Sequence, residues 1–428
     1  MAAVPVAHLG RRGIAAGKRM VGMDQAEALA DAQMKTAMQL FATLGRLKGG
    51  AMKLGQALSV FEAALPEEFA APYRETLTKL QDSAPPMEPA DVEYQLQANL
   101  GPNWRERFQE FDMQAVAAAS IGQVHRAVWH DGRDVAVKVQ YRGAAGAIIA
   151  DLNQLSRMGR LFGAAFPGID MKSLMQELKL RVREEVDYLH ESRAQRAFAV
   201  AFDNHPDYEV PHVLAASPQV MVSEWVEGRS LARIIESGTQ EERDKYGQLY
   251  LRFLLSGPSI AQRLHADPHP GNFQVTTDGK FAVLDYGSTA DLPNGLPAAM
   301  GGLLRVAMLG DHEKVLEGLR SEGFIRPGIT LEPQALLDYL MPFTEPASVQ
   351  TFTHTREWLA ELFAKTADPR NPDWTVGLKI NLPPEYVLIH RAWIGSIGVL
   401  CQLGSRFSVR DEFVKWVPGF SDLPAAAS

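Results

Sequence analysis

The residues most suited to chemistry lie in a polar loop, His265–Asn272, and in the tripeptide Asp285–Gly287 that follows it. Asp285 ends a short apolar run, so its carboxylate is expected at the end of a buried strand, where it suits a divalent cation. Asn272 offers a second, neutral oxygen ligand, and Asp267 is placed to orient or deprotonate an attacking hydroxyl group or water molecule. These residue types fit phosphoryl transfer, whose charge Mg²⁺ neutralises.

A lysine on a predicted strand completes this arrangement. Lys138 lies in the second of two strand-like runs and points away from the side of Val135, Val137 and Val139. In the order strand lysine, H-x-D-x(4)-N, strand, D-x-G, the chain follows the layout of a kinase-like active site. Lys138 would contact the α- and β-phosphates of a nucleotide, and it needs a carboxylate to position it. Each signal is weak alone, and the prediction depends on their order and spacing.

The carboxylate that positions Lys138 is left open by helical geometry. Glu184, Asp187 and Glu191 are three and four residues apart and share one face of a predicted helix, whereas Glu185 is rotated by about 100°. Any of the three satisfies the spacing. A charged, solvated helix face is the alternative interpretation of the same cluster.

The elements that must position these residues change in type along the chain. Residues 1–110 predict a helical extension, residues 111–228 a sheet-containing lobe with inserted helices, and residues 229–428 a helical lobe that carries the polar loop. Asp131-Gly132 and Asp278-Gly279 are pairs favoured in tight turns, and each separates two strand-like runs. The expected fold class is α+β, a two-lobed protein-kinase-like fold with a small antiparallel-sheet N-lobe, a helical C-lobe and an N-terminal helical extension.

Composition argues against several other classes. The 428 residues carry 51 acidic and 43 basic side chains, a net charge of −8, which argues against broad, charge-driven binding of nucleic acid. The single cysteine, Cys401, lies in an apolar run that predicts a buried thiol. Tyr386–Leu403 comes nearest to a membrane span, but His390 and Arg391 interrupt it, so a core helix is predicted. We therefore expect a cytoplasmic chain with at most peripheral contact at the inner membrane surface.

Four motifs point to one family. They are K-x-G-Q-x-x-S at Lys53–Ser59, an Ala-rich loop at Ala117–Ser120, E-x-D at Glu185–Asp187, and the loop and metal site at Asp267–Asn272 and Asp285. With these motifs the chain resembles the AarF/UbiB/ADCK family of atypical kinase-like proteins from about residue 30 onwards. The first two motifs are highly specific, because ordinary kinases lack them.

The resemblance implies a role for individual residues. Glu191 would be the helix carboxylate that pairs with Lys138, and Asp267 and Lys138 would be the catalytic residues. Asn272 and Asp285 would hold Mg²⁺. ATP or ADP would be bound by Lys138 and Glu191. The Ala-rich loop would contribute Ala118, Ala119 and Ser120, and a hinge would contribute backbone groups of Glu224 and Val226.

A second implication of the resemblance concerns regulation. Glu185 and Asp187 would face the helix that carries Lys53 and Gln56, and in this family that helix folds over the place where a protein substrate would sit. Alanine in the nucleotide loop is also less free than glycine to adopt φ > 0 and approach phosphates closely. Both features disfavour ordinary protein phosphorylation.

The family is tied to isoprenoid-quinone and other prenyl-lipid metabolism, so the resemblance implies an ATP-binding, Mg²⁺-dependent atypical kinase or ATPase with a partner in that pathway. A catalytically silent nucleotide-binding scaffold for lipid-biosynthetic enzymes is the alternative. Retention of Lys138, Asp267, Asn272 and Asp285 argues against such a scaffold. An antibiotic-type small-molecule phosphotransferase shares the loop pattern, but the Lys53–Ser59 helix is unexpected there.

Overall fold

The computed structural model describes residues 86–119, 121–150, 186–367 and 372–421, together with scattered positions between 153 and 184. Within these ranges the helices are α1 (Pro89–Leu100), α2 (Tyr188–Ala201), α3 (Leu231–Ser237), α4 (Gln240–Ile260), α5 (Ala298–Met308), α6 (His312–Ser321), α7 (Pro333–Ser348), α8 (Arg356–Ala367), α9 (Pro372–Gly377), α10 (Val387–Leu403) and α11 (Val409–Trp416). Short 3₁₀ helices are Trp104–Arg107, Pro270–Asn272 and Pro384–Tyr386. The strands are β1 (Phe108–Phe111), β2 (Ala117–Ala119), β3 (Gly122–Trp129), β4 (Asp134–Gln140), β5 (Tyr208–Glu209), β6 (Val213–Ala216), β7 (Val220–Glu224), β8 (Gly228–Ser230), β9 (Arg263–His265), β10 (Phe273–Thr276), β11 (Phe281–Val283), β12 (Thr289–Asp291), β13 (Phe352–Thr353) and β14 (Arg406–Phe407).

The N-lobe is built on an antiparallel sheet with strand order β1-β3-β4-β7-β6, and β2 pairs with β3. Val135, Val137 and Val139 are fully buried, because alternate residues of a strand point to the same face. The β3–β4 hairpin turns at Asp131-Gly132, where Gly132 has a φ of +91°, a conformation that favours glycine. This hairpin is the one predicted from the sequence.

Helix α1 covers the face of the sheet that Val135 occupies. Val92, Leu96 and Leu100 recur every four residues and pack with Trp104 and the buried valines in one apolar cluster. The sequence assigned residues up to 110 to a separate extension. In the structure α1 is packed into the N-lobe, because its apolar stripe is buried against the sheet.

Helix α2 connects the two lobes. Asp187 is its N-cap, and the side chain accepts a hydrogen bond from the N–H of Leu189 at 3.0 Å. Near the N-terminus of α2, Tyr188 packs with Met221 of the N-lobe sheet. Further along, Phe198 packs in the main cluster of the C-lobe. The residues between these two points therefore lie where the lobes meet.

The C-lobe is organised around α4, whose N-terminus is closed by reciprocal hydrogen bonds between Thr239 and Glu242. A partly buried ion pair joins this helix to α11. Arg252 donates through Nε and Nη2 to the carboxylate of Glu412, with a shortest distance of 2.8 Å, and it also approaches Asp207 at 3.9 Å. Both acidic partners of Arg252 lie outside the polar loop.

The polar loop lies between β9 and β10. Strands β10 and β11 form the second predicted hairpin, in which Gly279 has a φ of +85°. Strand β9 pairs with β12, which follows Asp285–Gly287. These two pairings bring both ends of the loop close to the D-x-G tripeptide.

The apolar stretch Pro384–Leu403 is helical and packs behind the loop. Among the described residues it is the one helical stretch long and apolar enough to cross a membrane, and 61% of its most apolar window is buried in this fold. It packs against Leu264 of β9, and a Cβ on Gly395 would lie 2.2 Å from Cγ of Pro268. Cys401 near its end is buried, as predicted. These contacts describe a core helix.

Truncating Leu96 to Ala should lower the free energy of unfolding by about 2–5 kcal/mol, because this fully buried side chain fills the space between α1 and the sheet. Leu309→Ala is the matched control, since Leu309 is 59% exposed and its loss should change stability by about 0.5 kcal/mol or less. Urea denaturation measures both. Equally small effects would mean that α1 is not part of the N-lobe core.

Candidate active site

Lys138 is held between two carboxylates that come from different elements. Its Nζ lies 2.5 Å from Oε1 of Glu191 on α2 and 3.0 Å from Oδ2 of Asp285, which follows β11. The side chains of Lys138 and Glu191 are only 12% and 5% exposed. Helical spacing had left the partner open, and the structure pairs Lys138 with Glu191, whereas Asp187 caps α2.

The two carboxylates keep Lys138 protonated. Burial by itself lowers the pKa of an amine, but the charges of Asp285 and Glu191 outweigh burial and raise the pKa of Lys138 well above its ordinary value. Burial raises the pKa of the Glu191 carboxyl, and the charge of Lys138 opposes that rise.

His265 attaches the polar loop to the backbone of Asp285. Its Nε2 lies 2.6 Å from the backbone oxygen of Asp285, and because a carbonyl oxygen only accepts, Nε2 carries the proton and donates. Burial lowers the pKa of His265, which keeps the imidazole neutral. The carboxylate of Asp285 also accepts the N–H of Gly287 at 2.9 Å. Backbone and side chain of Asp285 are thus both fixed.

Asn272 lies beside Asp285 because its backbone oxygen accepts the N–H of Leu284 at 2.9 Å. Its side-chain Nδ2 lies 3.4 Å from the backbone oxygen of Asp267. The amide nitrogen therefore faces the loop, and the amide oxygen is the atom suited to bind a cation. The loop thus brings Asp267, Asn272 and Asp285 together, as the sequence predicted.

The donor set fits Mg²⁺. Asp285 and Asn272 supply hard oxygen atoms, one charged and one neutral, and Mg²⁺ commonly takes one or two protein ligands and completes its shell with phosphates and water. In the part of the chain that the structure describes, no group of three or more His, Cys, Asp or Glu side chains forms a metal cage. A metal here would depend on the nucleotide for its remaining ligands.

Two of the three residues predicted in the nucleotide loop are described. Ala118 and Ala119 lie in β2 opposite residues of β3, and neither has a positive φ. Gly122 permits the close approach of β4, because a Cβ there would lie 2.2 Å from the backbone oxygen of Val139. Ser120 lies outside the described residues. The Ala-rich hairpin thus runs beside the strand that carries the site lysine.

Glu224 and Val226 lie where the chain leaves β7 of the N-lobe sheet for β8 of the C-lobe sheet. The Glu224 carboxylate accepts hydrogen bonds from Arg133 and from the backbone N–H of His212, both at 3.0 Å. Its side chain is therefore committed to the protein. The backbone N–H of Val226 donates no hydrogen bond within the described residues, so a backbone contact with adenine is compatible with this segment.

Arg391 was not predicted as a site residue. Its Nη2 lies 3.4 Å from Oδ1 of Asp267 and its Nη1 3.3 Å from Oγ of Ser288, and the side chains of Arg391 and Asp267 are 10% and 15% exposed. The signal in the sequence was a lone arginine inside the apolar run Tyr386–Leu403, because a buried charge needs a partner. No local pattern indicated which residue that partner was.

The predicted regulatory set is only partly described. Lys53, Gln56 and Glu185 lie outside the described residues. The carboxylate of Asp187 accepts the backbone N–H of Leu189 as the N-cap of α2. The contact of Glu185 and Asp187 with the Lys53 helix stays a prediction.

A sheet lysine held by a helix glutamate, opposite an aspartate and a polar loop of the helical lobe, is the arrangement that kinase-like folds use for nucleotides. The fold is therefore of the two-lobed kinase-like class, as predicted. Residues 79–319 match the sequence model of a known family, the ABC1 atypical kinase-like domain. The chain belongs to this family, and its predicted membership of the AarF/UbiB/ADCK group is confirmed.

Individual relatives support this assignment. The chain is 30% identical over 328 residues to "Atypical kinase coq-8, mitochondrial" of Caenorhabditis elegans, covering 74% of this chain and 42% of the relative. It is 33% identical over 308 residues to "Probable serine/threonine-protein kinase abkA" of Dictyostelium discoideum, covering 66% and 52%. The chain thus spans about half the length of the curated relatives it matches.

A solved structure covers almost the whole chain. The complex of Rv3197 with erythromycin from Mycobacterium tuberculosis is 40% identical in sequence and has a TM-score of 0.66. The match covers 93% of this chain and 100% of the solved chain. The similarity therefore extends beyond the region matched by the family, into the C-terminal helices.

Replacing Glu191 by Gln should weaken binding of Mg-ADP about as much as Lys138→Met, because each change removes the same ion pair. The double variant should be no weaker than either single variant, since residues that act as one unit are not additive. Isothermal titration of Mg-ADP measures all three. Additive losses would mean that Glu191 does not act on the nucleotide through Lys138.

Proposed function

We propose that this chain binds ATP with Mg²⁺ and either hydrolyses it or transfers its γ-phosphoryl group to a small molecule or lipid. The observation that supports this most directly is the position of Lys138 between Glu191 and Asp285, next to a loop that presents Asp267 and Asn272. An ordinary structural ion pair does not require a third carboxylate and an amide at the same place.

Each residue has a distinct task in this proposal. Lys138 binds the α- and β-phosphates once the nucleotide draws it from Asp285, and Glu191 keeps its ammonium group in place. Asp285 and Asn272 hold Mg²⁺, which neutralises charge on the β- and γ-phosphates when bound. Asp267 orients the attacking water or hydroxyl group and takes up its proton.

The adenosine end of the nucleotide would lie against the N-lobe. Ala118, Ala119 and Ser120 would cover the phosphates as a hairpin loop, and backbone groups of Glu224 and Val226 would contact adenine. This assignment is supported by the pairing of β2 with β3, the strand next to β4, and by the position of the β7–β8 connection between the lobes. Side-chain readout of adenine by Glu224 is disfavoured, because its carboxylate is already bonded.

The proposed biological context is isoprenoid-quinone or prenyl-lipid metabolism, and the resemblance to the AarF/UbiB/ADCK family supports it. The same resemblance supports an occluding role for Lys53, Gln56, Glu185 and Asp187, which would restrict access of protein substrates. A prenyl-lipid or quinone-pathway partner and peripheral contact with a membrane belong to this proposal.

ADP release by the purified chain distinguishes an enzyme from a catalytically silent scaffold. Wild type should release ADP from Mg-ATP, with a further increase on addition of prenyl-phenol or detergent–lipid mixtures if these supply the acceptor. Asp267→Asn should reduce the rate by roughly 10²–10⁴-fold, because it removes the proposed base. Asp203→Asn, at an exposed aspartate beyond the C-terminal end of α2, is the control.

Two outcomes would contradict the enzyme proposal. The first is a wild-type rate equal to that of Asp267→Asn while Mg-ADP still binds, which would indicate the scaffold. The second is unchanged Mg-nucleotide affinity in Asp285→Asn. This variant removes the charged metal ligand, so it should lose more Mg-nucleotide affinity than Asn272→Ala, which removes the neutral one.

A macrolide is a second candidate ligand, because the solved relative bound to erythromycin matches 93% of this chain at 40% identity. Titration calorimetry with erythromycin, with and without Mg-ADP, should then show saturable binding, and rifampicin serves as an unrelated antibiotic of comparable size. Mass spectrometry of erythromycin recovered after incubation with Mg-ATP tests for added phosphate. Absence of heat with erythromycin would remove this candidate and leave the ATPase proposal intact.

A further inference from the structure

The helix α10 supplies a charged group to the polar loop from a part of the chain more than 100 residues away. Arg391 reaches Oδ1 of Asp267 through Nη2 and Oγ of Ser288 through Nη1, at 3.4 and 3.3 Å. The backbone oxygen of Ser288 in turn accepts the N–H of Ala266 at 2.9 Å. One guanidinium group thus contacts both the loop and the segment that follows the D-x-G tripeptide.

The backbone behind this contact is tightly packed. A Cβ on Gly395 would lie 2.2 Å from Cγ of Pro268, so the helix and the loop are in direct contact one turn from Arg391. The hydroxyl of Tyr250 on α4 donates to the backbone oxygen of Pro268 at 2.9 Å. The loop therefore has little freedom to move relative to Arg391.

The two oxygens of Asp267 differ in their surroundings. Oδ1 lies next to the guanidinium group, whereas Oδ2 makes no hydrogen bond with any residue that the structure describes. A guanidinium group is planar and permanently charged, so it can fix the rotation of a carboxylate as well as neutralise it. With Oδ1 next to Arg391, Oδ2 is the oxygen left for a bound group.

We propose that Arg391 is a positioning residue for phosphoryl transfer, which holds Asp267 by Oδ1 so that Oδ2 faces the attacking group. This inference rests on the proposed function, because that function gives Asp267 the task of orienting the attacking water or hydroxyl group. The loop residue orients the nucleophile, and the distant helix orients the loop residue. Helix α10 is then part of the active site.

Arg391→Met removes the charge and the planar group while keeping most of the apolar stem. ATP turnover should fall about 10–100-fold, because small misplacements of a reacting group are costly, while the KM for Mg-ATP should stay within about threefold. Arg391→Lys should recover part of the rate, and so should added methylguanidinium with Arg391→Met. The double variant with Asp267→Asn should be no slower than Asp267→Asn alone.

Arg252→Met is the matched control, because it also breaks a partly buried arginine–carboxylate pair of the C-lobe, one whose acidic partners lie outside the loop. It should lower the thermal unfolding temperature without lowering kcat. If Arg391→Met has wild-type kcat, or if both variants lose kcat only in proportion to their loss of stability, the positioning role is wrong.

A readout without turnover separates this inference from the proposed function. Arg391→Met should increase amide hydrogen exchange in residues 267–272 of the Mg-ADP complex, and Arg252→Met should not. If wild type does not hydrolyse ATP, the proposed function fails, and the exchange comparison still decides whether Arg391 positions the loop. Equal exchange in both variants would overturn the inference.

Discussion

A single ammonium group shared by two carboxylates connects the three parts of this fold that meet at the cleft. Lys138 comes from the N-lobe sheet, Glu191 from the helix that joins the lobes, and Asp285 from the segment that follows β11 in the C-lobe. Removing one partner of a buried pair leaves an uncompensated charge, at a cost of about 3–5 kcal/mol when it is fully buried. The relative position of the lobes at the cleft therefore depends on electrostatics as well as on apolar packing.

Both polar contacts and apolar packing hold the polar loop. His265 donates a hydrogen bond to the backbone oxygen of Asp285, and the N–H of Tyr286 lies 3.4 Å from the carboxylate of Glu191. These contacts connect the loop region to the two carboxylates that hold Lys138. The ring of Tyr286 is fully buried against Phe198, where a phenylalanine would serve equally well for packing. The loop is thus held by a few polar bonds set in an aromatic core.

The sequence predicted those parts of the site that depend on local pattern. Asp-Gly turns located both hairpins, and the spacing of Asp267, Asn272 and Asp285 followed from one loop and one strand end. Choosing the partner of Lys138 needed more, because helical spacing alone could not distinguish Glu191 from its neighbours, although the resemblance favoured it. The role of Asp187 as a helix cap depends on where α2 begins, and helix boundaries are poorly determined by pattern.

Contacts between distant segments were the least predictable. The charge on Arg391 marked it as unusual within an apolar run, but its contact with Asp267 arises from the packing of α10 behind β9, which no local pattern encodes. Helix α1 raised a similar difficulty. Its apolar stripe was visible, but whether it packed on the sheet or on the preceding residues was decided only by the tertiary fold.

The match to the family ends at residue 319, whereas the helix behind the polar loop spans Val387–Leu403. Gly395 packs so closely against Pro268 that a methyl group would not fit between them. Loop and helix therefore constrain each other's sequences, and a recombinant hybrid that joined the first 319 residues to the C-terminal segment of a relative would have to match both surfaces. In evolutionary terms, the residues that must change together around this cleft extend beyond the segment by which the family is recognised.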